Sequence, residues 1–145
     1  MKNSLLLHET GKRCPYCDSK PAYVDSIEVY GVSYGMIYLC RPCSAWVGVH
    51  KGTSIPLGRL ANEELRESKK LAHHYFDNLW HRRIKQGVRK QEARTLAYKW
   101  LSRQLGVNIK RCHIGMFNVE QCKKVVEVCK PYFKSLATSV HLPLL

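Results

Sequence analysis

Long apolar runs are missing from this 145-residue chain, and none approaches the roughly 20 residues that cross a bilayer. Residues 1–7 contain one lysine and three consecutive leucines, an apolar stretch too short for a secretion signal, and no small-residue cleavage site follows them. Internal repeats and low-complexity segments are also missing. The sequence therefore predicts a cytoplasmic protein with no membrane partner.

The usual catalytic signatures are missing as well, since the chain has no GxSxG, P-loop, HExxH or paired-carboxylate pattern. Two arrangements keep a chemical role open. His50 ends a predicted strand, while His74, Asp77 and His81 share a polar helix face at a spacing that suits metal binding or acid–base chemistry. A solvated helix face explains the second arrangement more simply. The sequence therefore leaves enzymatic function open but favours a protein that is not an enzyme, and it points to no small-molecule substrate.

Acidic residues are scarce in this sequence. The chain has 11 Asp and Glu against 24 Lys and Arg, which gives a net charge of +13 with histidine neutral. A surplus of this size favours a polyanionic partner, of which nucleic acid is the commonest. The simpler alternative is a surface whose charge only keeps the protein in solution.

The positive charge is densest between residues 82 and 111, where Glu92 is the only acid among ten basic residues. These are Arg82, Arg83, Lys85, Arg89, Lys90, Arg94, Lys99, Arg103, Lys110 and Arg111. Long flexible cations at this density suit phosphate contacts, and we expect Tyr98 to project from the polar side and stack on a base. Arg94, Lys99 and Arg103 flank the apolar face of the predicted helix on both sides, so they form no single stripe. The segment therefore predicts a nucleic-acid contact without distinguishing DNA from RNA.

Seven cysteines, an odd number, fit poorly with a fully bridged disulfide framework. Two C-x2-C pairs, separated by 22 residues, are formed by Cys14, Cys17, Cys40 and Cys43. Such pairs turn both sulfurs toward one point, and an intervening hairpin can join the two pairs into a tetrahedron. The pattern predicts one structural Zn²⁺, because four thiolates leave no open coordination position. The alternatives are an iron–sulfur cluster, redox-active pairs or ordinary buried cysteines. Small buried side chains are predicted for Cys112, Cys122 and Cys129.

The apolar pattern changes along the chain. Residues 23–30 and 34–40 are rich in β-branched and aromatic residues and predict a hairpin around a turn at 31–33. Residues 45–50 predict a third strand. From residue 61 onward the apolar spacing is helical.

Three helices are predicted in this second half. The first runs from an N-cap at Asn62 to about residue 85, and the second spans residues 90–105 and stops at Gly106. The third follows Asn118, and we expect it to break or bend at Pro131.

These elements predict an α+β fold, in which an N-terminal four-cysteine zinc ribbon of short antiparallel strands packs with a C-terminal three-helix region. Residues 1–60 would form the ribbon with an N-terminal extension and a connector, and residues 61–145 the helical region. We expect the two regions to fold together as one unit.

Five motifs follow one another along the chain. They are CPYC at 14–17, CRPC at 40–43, VGVHKGT at 47–53, PLG at 56–58 and CHIGMF at 112–117. With them the chain resembles a small bacterial and phage family that is described only as a zinc-finger-containing domain of unknown function. The resemblance implies zinc binding by the four cysteines and a bacterial or phage origin, and it implies no catalytic residue.

The functional prediction is a small basic zinc-ribbon protein that binds nucleic acid through its helical half. A competing hypothesis is a protein–protein adaptor of phage or mobile-element origin that acts on a host complex. Such an adaptor would carry an exposed apolar or aromatic patch and would bind with little dependence on salt. A metal-dependent nuclease or hydrolase, built on His50 or on the face of His74, Asp77 and His81, is the least favoured hypothesis.

Overall fold

The computed structural model of the chain describes residues 2–135. These residues form two compact units. The first unit contains the described residues up to Arg66 together with Gly115–Phe117, and the second contains the others. The prediction that both halves fold together stays a prediction. No helix within residues 2–135 combines the length and the apolar character needed to cross a membrane.

The first unit is built around a three-stranded antiparallel sheet with strand order β1-β2-β3. In chain order its helices and strands are α1 (Lys2–Glu9), β1 (Ala22–Asp25), α2 (Ile27–Tyr30), β2 (Met36–Cys40) and β3 (Ala45–Gly48). In the register, Tyr23 of β1 lies opposite Tyr38, and Leu39 of β2 lies opposite Trp46 of β3. The predicted α+β fold class is confirmed, with the antiparallel sheet preceding the main helices.

The first strand is shorter than predicted, because residues 27–30 form the helix α2 and not a continuation of β1. The Asp25 carboxylate accepts a hydrogen bond from the Ile27 N–H at 2.8 Å, and the Ser26 hydroxyl accepts one from the Tyr34 N–H at 2.7 Å. Gly31 then ends the helix in a left-handed conformation, with φ at 77°. The N–H groups of Val29 and Tyr30 donate to the Ser26 carbonyl, so with the Asp25 cap residues 27–30 need no sheet pairing.

A small cluster of buried side chains surrounds the cysteines of the first unit. Its buried members are Cys14, Cys40, Ala45 and Leu60, with Tyr38, Cys43 and Val47 packed against them. Other buried apolar side chains of the unit are Ile37, Leu39, Leu65 and Phe117. The first unit also includes a segment from late in the chain, because Arg59 donates its backbone N–H to the Gly115 carbonyl at 2.9 Å and its Nε to the Met116 carbonyl at 3.1 Å. The first unit is therefore discontinuous in sequence.

Three long helices continue the chain, as predicted. They are α3 (Glu63–Lys85), α4 (Lys90–Leu105) and α5 (Val119–Ser135), with short 3-10 turns at Ile109–Arg111 and Ile114–Met116. Asn62 caps α3 by accepting a hydrogen bond from the Leu65 N–H at 3.0 Å. Asn118 and Gln121 form the expected capping box, with both hydrogen bonds at 2.9 Å. Caps at the chain positions that the sequence marks therefore set these helix boundaries.

We expected α5 to break or bend at Pro131; it does not break there, because the helix continues through Pro131 to Ser135. Proline removes one helical N–H, whose acceptor would be the carbonyl of Glu127, four residues earlier. Glu127 and Pro131 both lie on the exposed side of the helix. Water satisfies a carbonyl in that position, so the lost bond does not end the helix.

The core of the second unit combines large apolar side chains with thiols. Phe76, Leu79 and Leu101 are fully buried. Cys112, Cys122 and Cys129 are also fully buried, as predicted. Burial raises the pKa of Cys112 to about 11 and that of Cys129 to about 12, so these two side chains are neutral thiols at neutral pH.

Candidate zinc centre and basic helical surface

Four cysteines meet at one end of the sheet. Cys14 and Cys17 lie in the loop before β1, Cys40 is the last residue of β2, and Cys43 lies in the turn to β3. Their Sγ atoms all lie within 4.8 Å of one another. The strand register keeps the second pair in place, because Cys40 pairs with Ala45 across a tight turn.

Each of the two C-x2-C pairs ends in a tight backbone turn with a residue in the left-handed conformation. The residue after each second cysteine, Asp18 or Ser44, has a left-handed conformation, with φ at 62° and 50° respectively. In the first pair the Asp18 N–H donates to the Cys14 carbonyl at 2.8 Å, and in the second the Ser44 N–H donates to the Arg41 carbonyl at 3.2 Å. Each tight turn reverses the chain so that both sulfurs of a pair face the same point.

The sulfur spacing fits a four-coordinate zinc ion. With Zn–S bonds of about 2.3 Å, a tetrahedron has S–S edges of about 3.8 Å. The Sγ atoms of Cys17 and Cys40 are 3.6 Å apart, and no pair in the cluster exceeds 4.8 Å. Four thiolates also match the soft-ligand preference of zinc. The cluster is therefore consistent with one zinc ion.

The thiols of the cluster differ in pKa. Hydrogen bonds from the Ser19 hydroxyl and backbone lower the pKa of the exposed Cys17 to about 6. Burial raises the pKa of Cys14, and the hydrogen bond with Cys17 raises the pKa of Cys43 to about 12. Opposite shifts within one cluster are expected when neighbouring thiols share charge, and a bound cation would offset the charge of four thiolates.

The basic residues predicted to bind nucleic acid all belong to the second unit. Arg82 and Arg83 are partly buried, and the other eight are exposed. Residues 67–114 and 118–145 hold 16 Lys and Arg against 5 Asp and Glu, so the second unit accounts for +11 of the net charge of +13. Residues 1–66 hold 8 against 6 and contribute only +2. The positive charge is therefore strongly partitioned between the units.

Most of these cations have no carboxylate partner. Arg83 donates to the side chain of Gln86 at 3.1 Å. Within the described part of the chain, no ion pair with Asp or Glu is formed by Arg82, Lys85, Arg89, Lys90, Arg94, Lys99, Arg103 or Lys110. An open groove of about 410 Å³ lies along α4 between Arg89 and Lys99.

Tyr98 does not project from the polar side of α4, so its predicted role in base stacking is wrong. The side chain is only 7% exposed, and its ring packs on Phe76 with centroids 4.6 Å apart. Burial raises the pKa of Tyr98 to about 12. Arg94 covers the ring at 5.1 Å. The buried face of α4 is wider than the apolar spacing indicates, because a tyrosine ring fills core space as phenylalanine does.

The three residues of the predicted polar helix face do not form one site. Asp77 accepts hydrogen bonds from His73 Nδ1 at 3.1 Å and from Trp80 Nε1 at 3.0 Å. His74 instead packs against Phe133, with ring centroids 5.0 Å apart. His81 packs against the Trp80 ring at 4.1 Å. Sequence reasoning missed His73, although its i, i+4 spacing to Asp77 is a signal for this contact.

His50 is exposed in a turn after β3, where its carbonyl accepts a hydrogen bond from the Thr53 hydroxyl at 2.8 Å. Within residues 2–135, the four-cysteine cluster is the only group of three or more Cys, His, Asp or Glu side chains close enough to hold a metal. Neither His50 nor the helix face is part of such a group.

Comparison with known proteins agrees with the cysteine geometry. A family model for a zinc-finger-containing domain matches residues 10–132. The chain belongs to this family. The zinc-finger-containing domain spans both units and includes all four clustered cysteines and the ten basic residues. No curated protein and no solved structure is significantly similar to the chain.

Proposed function

We propose that this zinc-finger-containing protein binds nucleic acid through the cations of its second unit, while one structural Zn²⁺ holds its first unit together. The observation that carries the nucleic-acid proposal is the concentration of +11 in the second unit. Exposed lysines and arginines without carboxylate partners attract phosphates and release counterions on binding. Phosphate contacts of this kind need no particular base sequence.

The zinc proposal rests on the side chains around the four cysteines. Among the buried members of that cluster only Leu60 has a large aliphatic side chain, and two of the others are zinc-ligand candidates. Packing this sparse contributes little at the cysteine end of the sheet, so a cross-link there offsets part of the conformational entropy of ordering the chain. Four Zn–S bonds supply that cross-link, and they leave no coordination position for a substrate.

The test of nucleic-acid binding is a salt series with the zinc-loaded protein and labelled single- and double-stranded DNA and RNA. We expect affinity to fall steeply with salt, and we expect Arg89→Ala, Lys90→Ala and Arg94→Ala together to reduce the salt slope by about 2–3. The slope identifies phosphate neutralisation, and the four probes distinguish DNA from RNA.

A matched control removes the same charge from another helix. Lys123, Lys124 and Lys130 are exposed on α5 and lie outside the predicted segment. Their replacement by alanine should lower affinity less than the triple change on α4. Equal loss from both triple variants would mean that net charge acts without a defined surface. Thermal unfolding of each variant checks that it remains folded, because Arg94 also covers the Tyr98 ring.

The same series separates the competing functions. An adaptor requires an exposed aromatic or apolar patch. The first unit has exposed tyrosines, so the presence of such a patch does not distinguish an adaptor from a nucleic-acid-binding protein. No binding to any nucleic acid at low salt would favour the adaptor. For a nuclease or hydrolase, added divalent metals should produce cleavage of nicked, single-stranded or duplex substrates, and intact substrates would exclude it.

A further inference from the structure

An open groove of about 830 Å³ lies in the first unit and is lined by residues of all three strands and of the segments that follow β1 and β3. Four aromatic side chains line it: Tyr23, Tyr30, Tyr34 and Trp46. None of them is a zinc-ligand candidate, and no motif in the sequence marked them as a group. Three of the four are tyrosines with large exposed fractions, which reach 77% for Tyr34. Exposed rings grouped around one groove are unusual unless they bind something.

The rings contact one another by their edges. Tyr30 lies edge-on to Tyr34, with centroids 5.5 Å apart and planes at 84°, and edge-on to Trp46 at 5.9 Å and 88°. The Trp46 indole N–H donates to the Tyr30 hydroxyl at 2.9 Å, which fixes this pair. A T-shaped contact covers at most one face of each ring, so Tyr34, which has one such contact and is largely exposed, keeps a free π-face that accepts a flat partner by stacking.

The charge of the groove favours a polyanion. Lys51 is the only charged residue among its lining side chains within the described chain, and no Asp or Glu lines it. Arg66 is not one of the lining residues, but its guanidinium lies 3.7 Å from the centroid of the Trp46 ring, which does line the groove, and adds a second cation. A nucleotide joins a flat base to an anionic phosphate, and therefore suits rings placed beside cations.

We infer that this groove is a base-stacking site for single-stranded nucleic acid. The inference rests on the proposed function, which it deepens by adding contacts to bases in the first unit to contacts with phosphates in the second. Bases of a duplex are already stacked and present no free faces, so the groove selects unpaired segments. A proline-rich peptide would also fit an aromatic groove, but it gains nothing from the positive charge of Lys51 and Arg66.

Tyr34 offers the cleanest variant. Its ring is largely exposed and contacts Tyr30, and its backbone bond to Ser26 does not depend on the side chain. We expect Tyr34→Ala to weaken binding of single-stranded oligonucleotide by roughly 5- to 150-fold, the range for one stacked base. Tyr34→Phe keeps the ring and should bind as the unchanged protein does, whereas Tyr34→Leu keeps the apolar bulk and should bind as weakly as Tyr34→Ala.

The probes are an oligothymidylate, an abasic strand of equal length, and a duplex, each measured with the zinc-loaded full chain. Tighter binding to the oligothymidylate than to the abasic strand, lost in Tyr34→Ala, supports the inference. Equal binding to both strands, unchanged by Tyr34→Ala, overturns it and leaves the phosphate proposal standing. No binding to any of the three overturns the proposed function together with the inference. Tyr34-dependent binding of a proline-rich peptide, without Tyr34-dependent binding of the oligothymidylate, also overturns the inference.

Discussion

At Asp77, burial and hydrogen bonding act in opposite directions on the same carboxyl group. Burial raises the pKa of Asp77, while hydrogen bonds from His73 and Trp80 lower it, and the net shift is downward. The side chain is 30% exposed, so it sits at the edge of the core. Asp77 thus fixes the Trp80 indole and the His73 ring on one side of α3, and its role is structural.

We expect Asp77→Ala to lower the free energy of unfolding at neutral pH by roughly 1–3 kcal/mol, because the Trp80 N–H loses its acceptor. A lowered pKa in the folded state means that the charge stabilises the fold above the unfolded value of about 3.9. That contribution disappears as the pH falls through the lower folded value. The difference between the variant and the unchanged protein should therefore shrink from pH 7 to pH 3.

Urea unfolding at both pH values measures this difference. Glu92→Ala, which removes an exposed acid from α4, serves as the control and should have little effect. A difference for Asp77→Ala that stays constant between pH 7 and pH 3 would contradict a role for the Asp77 charge.

For whole elements, the sequence predicted those whose ends are marked by local side chains. Asn62 and Gly106 bound helices at the expected places. The sequence did not predict the helix at residues 27–30. The valine and tyrosine in that segment favour a strand, but hydrogen bonds to Asp25 and Ser26 stabilise the helix instead. The cysteine cluster was predictable because metal-ligand spacing is a local signal, whereas the aromatic groove depends on strand register and was not.

The backbone segments at Gly58 and Gly115 approach each other closely. A Cβ atom added at Gly58 would lie 2.3 Å from the Gly115 carbonyl oxygen and 2.6 Å from its carbon. Both neighbours are backbone, which cannot swing aside as a side chain does. We expect Gly58→Ala to lower the free energy of unfolding of the zinc-loaded protein by roughly 1–3 kcal/mol.

Gly48→Ala is the matched control for this change. Its added Cβ would meet only the Leu57 side chain, at the ordinary contact distance of 3.5 Å. Thermal unfolding of both variants compares the two sites. Equal midpoints would show that the segment at Gly115 moves away from Gly58 without cost.

In the whole molecule, most of the net positive charge lies in the second unit and the candidate metal ligands lie in the first. The first unit carries +2 from its side chains, and the proposed dication with four thiolates would lower this to about zero. The second unit carries +11 and no candidate metal ligand set within its described residues. The sequence predicted this division through composition, but it could not predict that residues 115–117 belong to the first unit.

Metal removal tests the zinc and the joint folding of the units together. Native mass spectrometry should show one zinc per chain, which Cys14→Ser with Cys40→Ser removes and Cys112→Ser does not. We expect a strong chelator to lower the helical circular dichroism signal along with the zinc content, since the first unit interrupts the second in sequence. Added zinc should restore the signal. An intact metal-free chain with its full helical signal would contradict both expectations.

The discontinuity of the first unit also sets an order of events during synthesis. All four cysteines of the cluster precede residue 44, but the partners of Arg59 lie at Gly115 and Met116. From Arg66, the ribosome must add 51 residues to reach Phe117, which takes roughly 3–10 s at about 5–20 residues per second. All four cysteines are therefore synthesised seconds before the amino-terminal unit can close, so the proposed zinc ion would have time to bind before closure.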